Sequence, residues 1–136
     1  MIQRYCEALG KSGCYFLSIL NLAEKITGKL IDPARAYEEC LGAAFIKADC
    51  FVNFPGRILE HYTGSMYEVS QAAKDYKPST GEFEILRFER KDTTQTFAHF
   101  VVGDGTGRVA FDPYGDSLTV REGYLVSKRI FRRASI

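Results

Sequence analysis

Apolar residues in the first half of this chain recur at the spacing of α-helices. The longest such stretch runs from Cys14 to Ile26, and it is interrupted only at Ser18, Asn21, Glu24 and Lys25. A helix with apolar residues on almost every side is buried rather than laid on a protein surface. Gly28 is placed to end this helix in the left-handed conformation. We therefore predict a buried central helix from about residue 13 to residue 27.

Two shorter helices are predicted after the central one. Asp32 followed by Pro33 is typical of a helix start, because aspartate caps a helix and proline suits its first position. Another short helix is predicted over residues 57–62, with His61 at its surface. Upstream of the central helix, residues 3–11 are predicted to form a loop or a short irregular segment.

After residue 64 the apolar pattern changes from helical to alternating, and the segments become rich in β-branched and aromatic residues. Five strands are predicted, over residues 66–71, 83–90, 96–102, 108–112 and 124–131. Helices followed by strands are typical of an α+β domain, here with an antiparallel sheet packed against the buried helix. A length of 136 residues fits one domain, which we expect to span residues 1–136.

The composition narrows the classes of partner. Because 18 basic and 17 acidic residues give a net charge of +1, we predict no nucleic-acid partner and no membrane-surface partner. No apolar run reaches the roughly 18 residues of a membrane span, and no signal-peptide pattern begins the chain, so we expect a cytoplasmic protein. Basic residues near the end are expected on a solvated strand face; they are Lys128, Arg129, Arg132 and Arg133.

Cys14 is the cysteine with a special position. The four cysteines and two histidines show no zinc-site spacing, so neither a metal nor a cofactor is predicted, and free thiols are expected in a reducing compartment. Ser12 is predicted to cap the central helix, which places Cys14 in its first turn. Free backbone N–H groups and the helix dipole favour a thiolate there. The alternative is that Cys14 is a small, buried apolar residue.

A predicted hairpin brings a histidine and a carboxylate together. The glycine-rich segment 103–107 indicates a turn between two strands. If Val102 pairs with Val109, His99 lies opposite Asp112, with Cβ atoms about 4.5–5.5 Å apart. The carboxylate then orients the imidazole and stabilises its charged form, as a nucleophile–base–orienter set requires. Separately, a strand histidine and an aspartate before proline each have ordinary structural uses, and a register slip of one residue would part them.

Three motifs resemble those of papain-like cysteine peptidases, in particular the bacteriocin-leader-processing family and its small phage and bacterial relatives. They are Ser12-Gly13-Cys14, His99-Phe100-Val101-Val102 and Phe111-Asp112-Pro113-Tyr114-Gly115. The resemblance implies a papain-like fold, a thioester intermediate on Cys14, a general acid–base role for His99 and an orienting role for Asp112. It also implies that Gln3, the only glutamine upstream of Cys14, supplies an oxyanion-hole donor. The implied substrate is a peptide or a peptidoglycan-derived fragment, and the oligomeric state is left open.

Other interpretations of the same residues stay open. Those relatives have glycine after the cysteine where this chain has Tyr15, so one alternative is a catalytically inactive peptidase-like domain used for binding. Another places the nucleophile at Cys50, in a stretch that faintly resembles peptidoglycan-cleaving endopeptidases and amidases. A third uses the same three residues for amide transfer or for deubiquitinase-like hydrolysis, since each of these reactions begins with thiolate attack on an acyl group.

Overall fold

The buried central helix is present in the structure, a computed structural model that describes residues 2–134. The helices are α1 (Ile2–Ser12), α2 (Cys14–Thr27), α3 (Pro33–Gly42), α4 (Pro55–Thr63) and α5 (Leu118–Glu122). The strands are β1 (Tyr67–Ala73), β2 (Glu82–Lys91), β3 (Thr96–Gly103), β4 (Val109–Phe111) and β5 (Tyr124–Arg133). Within this part of the chain, none of the helices is both long and apolar enough to cross a membrane.

Two of the predicted signals at helix ends, Gly28 and Asp32, act as expected. Gly28 follows α2 with a φ of 72°, and its backbone N–H donates to the carbonyl of Glu24. The side chain of Asp32 caps α3 by accepting the backbone N–H of Ala34 at 3.2 Å. Because these bonds occupy groups that a helix end leaves free, they set where α2 ends and where α3 begins.

The segment before Cys14 is a helix, so the prediction of a loop over residues 3–11 was wrong. Ala8 of this helix is buried, and the ring of Tyr5 packs edge-on against Tyr37 at 5.7 Å between centroids. Tertiary packing therefore stabilises α1, and the helix continues through Gly10. Ser12 is the last residue of α1 and does not cap α2; its hydroxyl donates to the carbonyl of Asp49.

The five strands form one antiparallel sheet in the order β1-β5-β2-β3-β4. Ile85, Val102 and Phe131 of this sheet belong to the same buried core as α2 and α4. The prediction of an α+β fold with an antiparallel sheet against a buried helix is confirmed. The sheet places β3 beside α2, which brings the predicted histidine strand next to the helix that begins with Cys14.

The hairpin between β3 and β4 has a different register from the predicted one. Val102 pairs with Phe111 rather than with Val109, and Gly103 pairs with Val109 across an irregular step. Asp112 therefore lies beyond the end of β4, in a turn, and is not the strand residue opposite His99.

Lys128 was predicted to be solvated, and this was wrong. Its ammonium is buried in an ion pair with Glu84 at 2.8 Å, and it also donates to the carbonyl of Tyr76 at 2.8 Å. The second carboxylate oxygen of Glu84 accepts the backbone N–H groups of Gly105 and Gly107 at 2.9 and 3.0 Å. A buried charge thus fixes the glycine-rich loop of the β3–β4 hairpin.

The other three basic residues of that group remain at least partly in contact with solvent. Arg132 pairs with Glu68 at 2.8 Å on the surface, and Arg133 is exposed. The guanidinium of Arg129 lies over the ring of Phe100 at 5.5 Å and is partly buried.

Candidate active site

Cys14 is the first residue of α2, directly after the junction with α1, and its side chain is nearly buried, with 8% of the residue exposed. Gly13 forms the junction. A Cβ atom on Gly13 would lie 2.6 Å from Cδ2 and 2.9 Å from Cα of Leu9, so the close approach of the two helices requires glycine. The backbone N–H of Cys14 is among the first four of α2, which have no partner within the helix.

His99 and Asp112 are hydrogen-bonded through Nε2 and Oδ1 at 2.7 Å, and both side chains are buried. The carboxylate is fixed by two further bonds, because it accepts the backbone N–H groups of Tyr114 at 2.9 Å and Ser117 at 3.2 Å. The Asp-Pro turn closes when the N–H of Gly115 donates to the carbonyl of Asp112 at 2.9 Å. The turn, not strand pairing, therefore directs the carboxylate to the imidazole.

The thiol of Cys14 interacts with the same imidazole. Burial has the largest influence on the pKa of His99 and lowers it, but hydrogen bonds and charge interactions with Cys14 and Asp112 outweigh burial and raise the pKa above 6.5. Since Nε2 faces Asp112, Nδ1 is the nitrogen that remains for the sulfur. For Asp112, burial raises the pKa, but hydrogen bonds from His99, Tyr114 and Ser117 outweigh it and hold the pKa below 3.8.

Tyr114 is a site residue that the sequence analysis did not single out. Its ring stacks on the imidazole of His99, with centroids 4.8 Å apart and an interplanar angle of 24°. Its hydroxyl donates to the carbonyl of Leu9 at 2.6 Å. Burial and then the charge of Cys14 raise the pKa of Tyr114 to about 12, against the influence of the Gly13 N–H. An aromatic residue beside an Asp-Pro turn was the only available signal, and it could not indicate Leu9 as the partner.

The structure does not bring Gln3 to this site. Gln3 is exposed in the first turn of α1, and its side-chain amide donates to Glu7 at 3.4 Å. Gln3 is nine positions before Ser12, so at a rise of about 1.5 Å per residue it lies about 13 Å from Ser12 along α1. The oxyanion role implied by the resemblance therefore has no support from the position of Gln3.

Tyr15, the residue after the cysteine, packs against the sheet. Its ring stacks on Phe100 of β3, at 4.5 Å between centroids and an interplanar angle of 29°. One turn later, the hydroxyl of Ser18 donates to the carbonyl of Phe100 at 3.3 Å. These contacts hold α2 against β3 and direct the tyrosine side chain onto the sheet.

Cys50 has the surroundings of a structural cysteine. It is 1% exposed, and burial, followed by Asp49 and Cys40, raises its pKa to about 11. A raised pKa keeps a thiol protonated and unreactive. His61 is exposed on α4, as predicted. Among residues 2–134, no group of three or more histidine, cysteine, aspartate or glutamate side chains is placed to hold a metal ion.

Comparison with known proteins gives a family but no function. The family model described as "Protein of unknown function, DUF261" matches residues 3–133. Neither the curated proteins nor the solved structures include a significant match to the chain.

Proposed function

The chain belongs to the DUF261 family of proteins of unknown function, and from its site we propose that it is a cysteine peptidase with a papain-like fold. Cys14 is the nucleophile, His99 is the general acid–base and Asp112 orients His99. We propose a peptide as its substrate. Four unpaired cysteines fit a reducing compartment, and we propose the cytoplasm as the place of action.

One observation carries this proposal: a single buried imidazole is fixed at one nitrogen by a carboxylate, and the Cys14 thiol at the start of α2 acts on the same ring. The Nε2–Oδ1 distance of 2.7 Å fixes the ring, and both partners raise the pKa of His99. A raised histidine pKa favours the imidazolium, which is the form that pairs with a thiolate. A histidine with only a structural role needs hydrogen-bond partners, but those partners need not include a thiol. Here the partner is a cysteine at a helix N-terminus, where a thiolate is favoured.

The reaction follows from these positions. The Cys14 thiolate attacks the carbonyl carbon of the scissile bond, an S–C bond forms, and the carbonyl electron pair moves to oxygen. His99 gives its proton to the leaving amine as the C–N bond breaks, which leaves a thioester on Cys14. His99 then takes a proton from water, the hydroxide forms a C–O bond at the thioester carbon, and the S–C bond breaks, which releases the acid and restores the Cys14 thiolate. Asp112 stabilises the imidazolium throughout.

The test is cleavage of a synthetic peptide library, read by mass spectrometry as new amino termini. We expect the wild type and Cys50→Ser to cleave library peptides and Cys14→Ala to cleave none. Cys50→Ser is the matched control because it also removes one buried thiol. Cleavage that survives in Cys14→Ala, or is lost only in Cys50→Ser, would refute the proposed nucleophile.

A parallel incubation with purified disaccharide-peptide fragments of peptidoglycan separates the substrate classes. Cys14-dependent cleavage of the fragments alone would replace the peptidase with a peptidoglycan endopeptidase or amidase. If no library is cleaved and Cys14 is not alkylated faster than an exposed thiol, the domain is an inactive binding module, and the proposal is wrong.

A further inference from the structure

A thioester-forming site needs hydrogen-bond donors for the oxyanion, and Gln3 does not lie at this one. The backbone N–H of Cys14, in the first turn of α2, supplies one donor. Building on the proposed function, we propose that the Tyr114 hydroxyl is the second oxyanion donor.

The position of the phenol is fixed at both of its ends. Its ring stacks on the imidazole of His99 at 4.8 Å, and its oxygen reaches the Leu9 carbonyl at 2.6 Å. Leu9 lies in the last turn of α1, against the Gly13 junction that immediately precedes Cys14. The phenol therefore extends from the catalytic base to the backbone turn that carries the nucleophile.

The electrostatics of the phenol support the same placement. The hydrogen bond to Leu9 places the Tyr114 oxygen beside the turn that leads into Cys14, and the charge of Cys14 raises the pKa of Tyr114 while the backbone N–H of Gly13 lowers it. Because its pKa is raised to about 12, the phenol keeps its proton at neutral pH and is available as a donor. Its backbone N–H also bonds Asp112 at 2.9 Å, which ties the donor to the orienting carboxylate.

The donor changes its acceptor during the reaction. In the resting protein the O–H of Tyr114 points to the neutral carbonyl of Leu9. When the Cys14 thiolate attacks, the S–C bond forms and the carbonyl π electrons move to the substrate oxygen, which becomes an anion. A charged acceptor binds a hydroxyl more strongly than a neutral carbonyl does, so the O–H turns to the oxyanion. The proton stays on Tyr114, and His99 supplies the proton for the leaving group.

Two reactions of Cys14 distinguish a donor from a residue that only positions His99. Acylation by p-nitrophenyl acetate passes through an oxyanion, whereas alkylation by iodoacetamide displaces iodide and forms none. Tyr114→Phe keeps the ring on His99 and removes only the hydroxyl. The matched control is Tyr124→Phe, which removes a hydroxyl from an exposed tyrosine on β5. Mass spectrometry follows the acetyl and the carboxamidomethyl adducts of Cys14.

For Tyr114→Phe we expect acylation to be slower by about 10²–10³-fold, the usual loss for one oxyanion donor. Alkylation should stay within about threefold of the wild type, and Tyr124→Phe should leave both rates unchanged. The inference is overturned if Tyr114→Phe acylates within about threefold of the wild type, or if both of its rates fall together, which is the pattern of a positioning residue. If wild-type Cys14 reacts with neither reagent, the proposed function fails, and the donor role fails with it.

Discussion

Replacing Glu84 with glutamine should destabilise the protein by about 3–5 kcal/mol, the usual cost of removing one partner from a buried ion pair. Glu84 is 1% exposed and Lys128 is 3% exposed. Both carboxylate oxygens are in use, one by Lys128 at 2.8 Å and the other by the N–H groups of Gly105 and Gly107 at 2.9 and 3.0 Å. Glutamine has one acceptor oxygen, so its NH₂ group would face either the ammonium or the loop N–H groups.

Urea unfolding followed by circular dichroism measures this effect, and a double-mutant cycle isolates its cause. Lys128→Met removes the buried charge, so the double variant Glu84→Gln/Lys128→Met should lose less stability than the two single losses summed. Glu68→Gln is the control, because its pair with Arg132 is exposed and such pairs contribute about 0–1 kcal/mol. A loss below about 1 kcal/mol for Glu84→Gln, or strict additivity in the cycle, would refute the account of a buried pair that fixes the hairpin.

Two further predictions concern the site and the helix junction. Asp112→Asn should lower the pKa of His99, as seen in an NMR titration of the imidazole, because Asp112 helps to raise it above 6.5. The stability that Asp112 contributes through this pair should be greatest between about pH 4 and 6; it should fall as the pH drops through the lowered pKa of Asp112 and as the pH rises through the raised pKa of His99. If Asp112→Asn lowered the free energy of unfolding equally at every pH, this prediction would be wrong. Gly13→Ala should cost about 1–3 kcal/mol in thermal or urea unfolding, because its Cβ would press on Leu9, whereas Gly10→Ala, with nothing within 4 Å, should be neutral or stabilising. If Gly13→Ala and Gly10→Ala changed the free energy of unfolding equally, the close contact between Gly13 and Leu9 would not be supported.

Much of the fold could be predicted because its signals are local. The apolar surface of α2, the left-handed glycine that ends it and the Asp32 cap of α3 each depend on residues close in sequence. Helix α1 was missed because its stability comes from contacts with another helix, such as Tyr5 against Tyr37. Lys128 was placed in solvent because its partner, Glu84, is 44 residues away, and no local pattern indicates such a pair.

The site was predicted in part, through an argument that the register does not support. His99 and Asp112 were expected to meet as directly opposed strand residues, but β4 ends at Phe111. The meeting depends instead on the turn after β4, where backbone N–H groups aim the carboxylate at Nε2. The position of the Tyr114 side chain depends on a hydrogen bond to Leu9, which is 105 positions earlier in the chain. No local sequence pattern predicts such a bond. The meeting of His99 and Asp112 was thus predicted from the sequence, whereas the long-range contacts around them were not.

The pairing of Cys14 with His99 is tested most directly by the rate at which iodoacetamide alkylates each cysteine at about pH 5.5, well below the ordinary thiol pKa of about 8.5. Cys6 is exposed and serves as the reference within the same molecule, and His99→Ala removes the proposed base. Cys14 should be alkylated faster than Cys6 although it is nearly buried, and His99→Ala should abolish this advantage. Slower alkylation of Cys14 than of Cys6, unchanged by His99→Ala, would contradict this pairing.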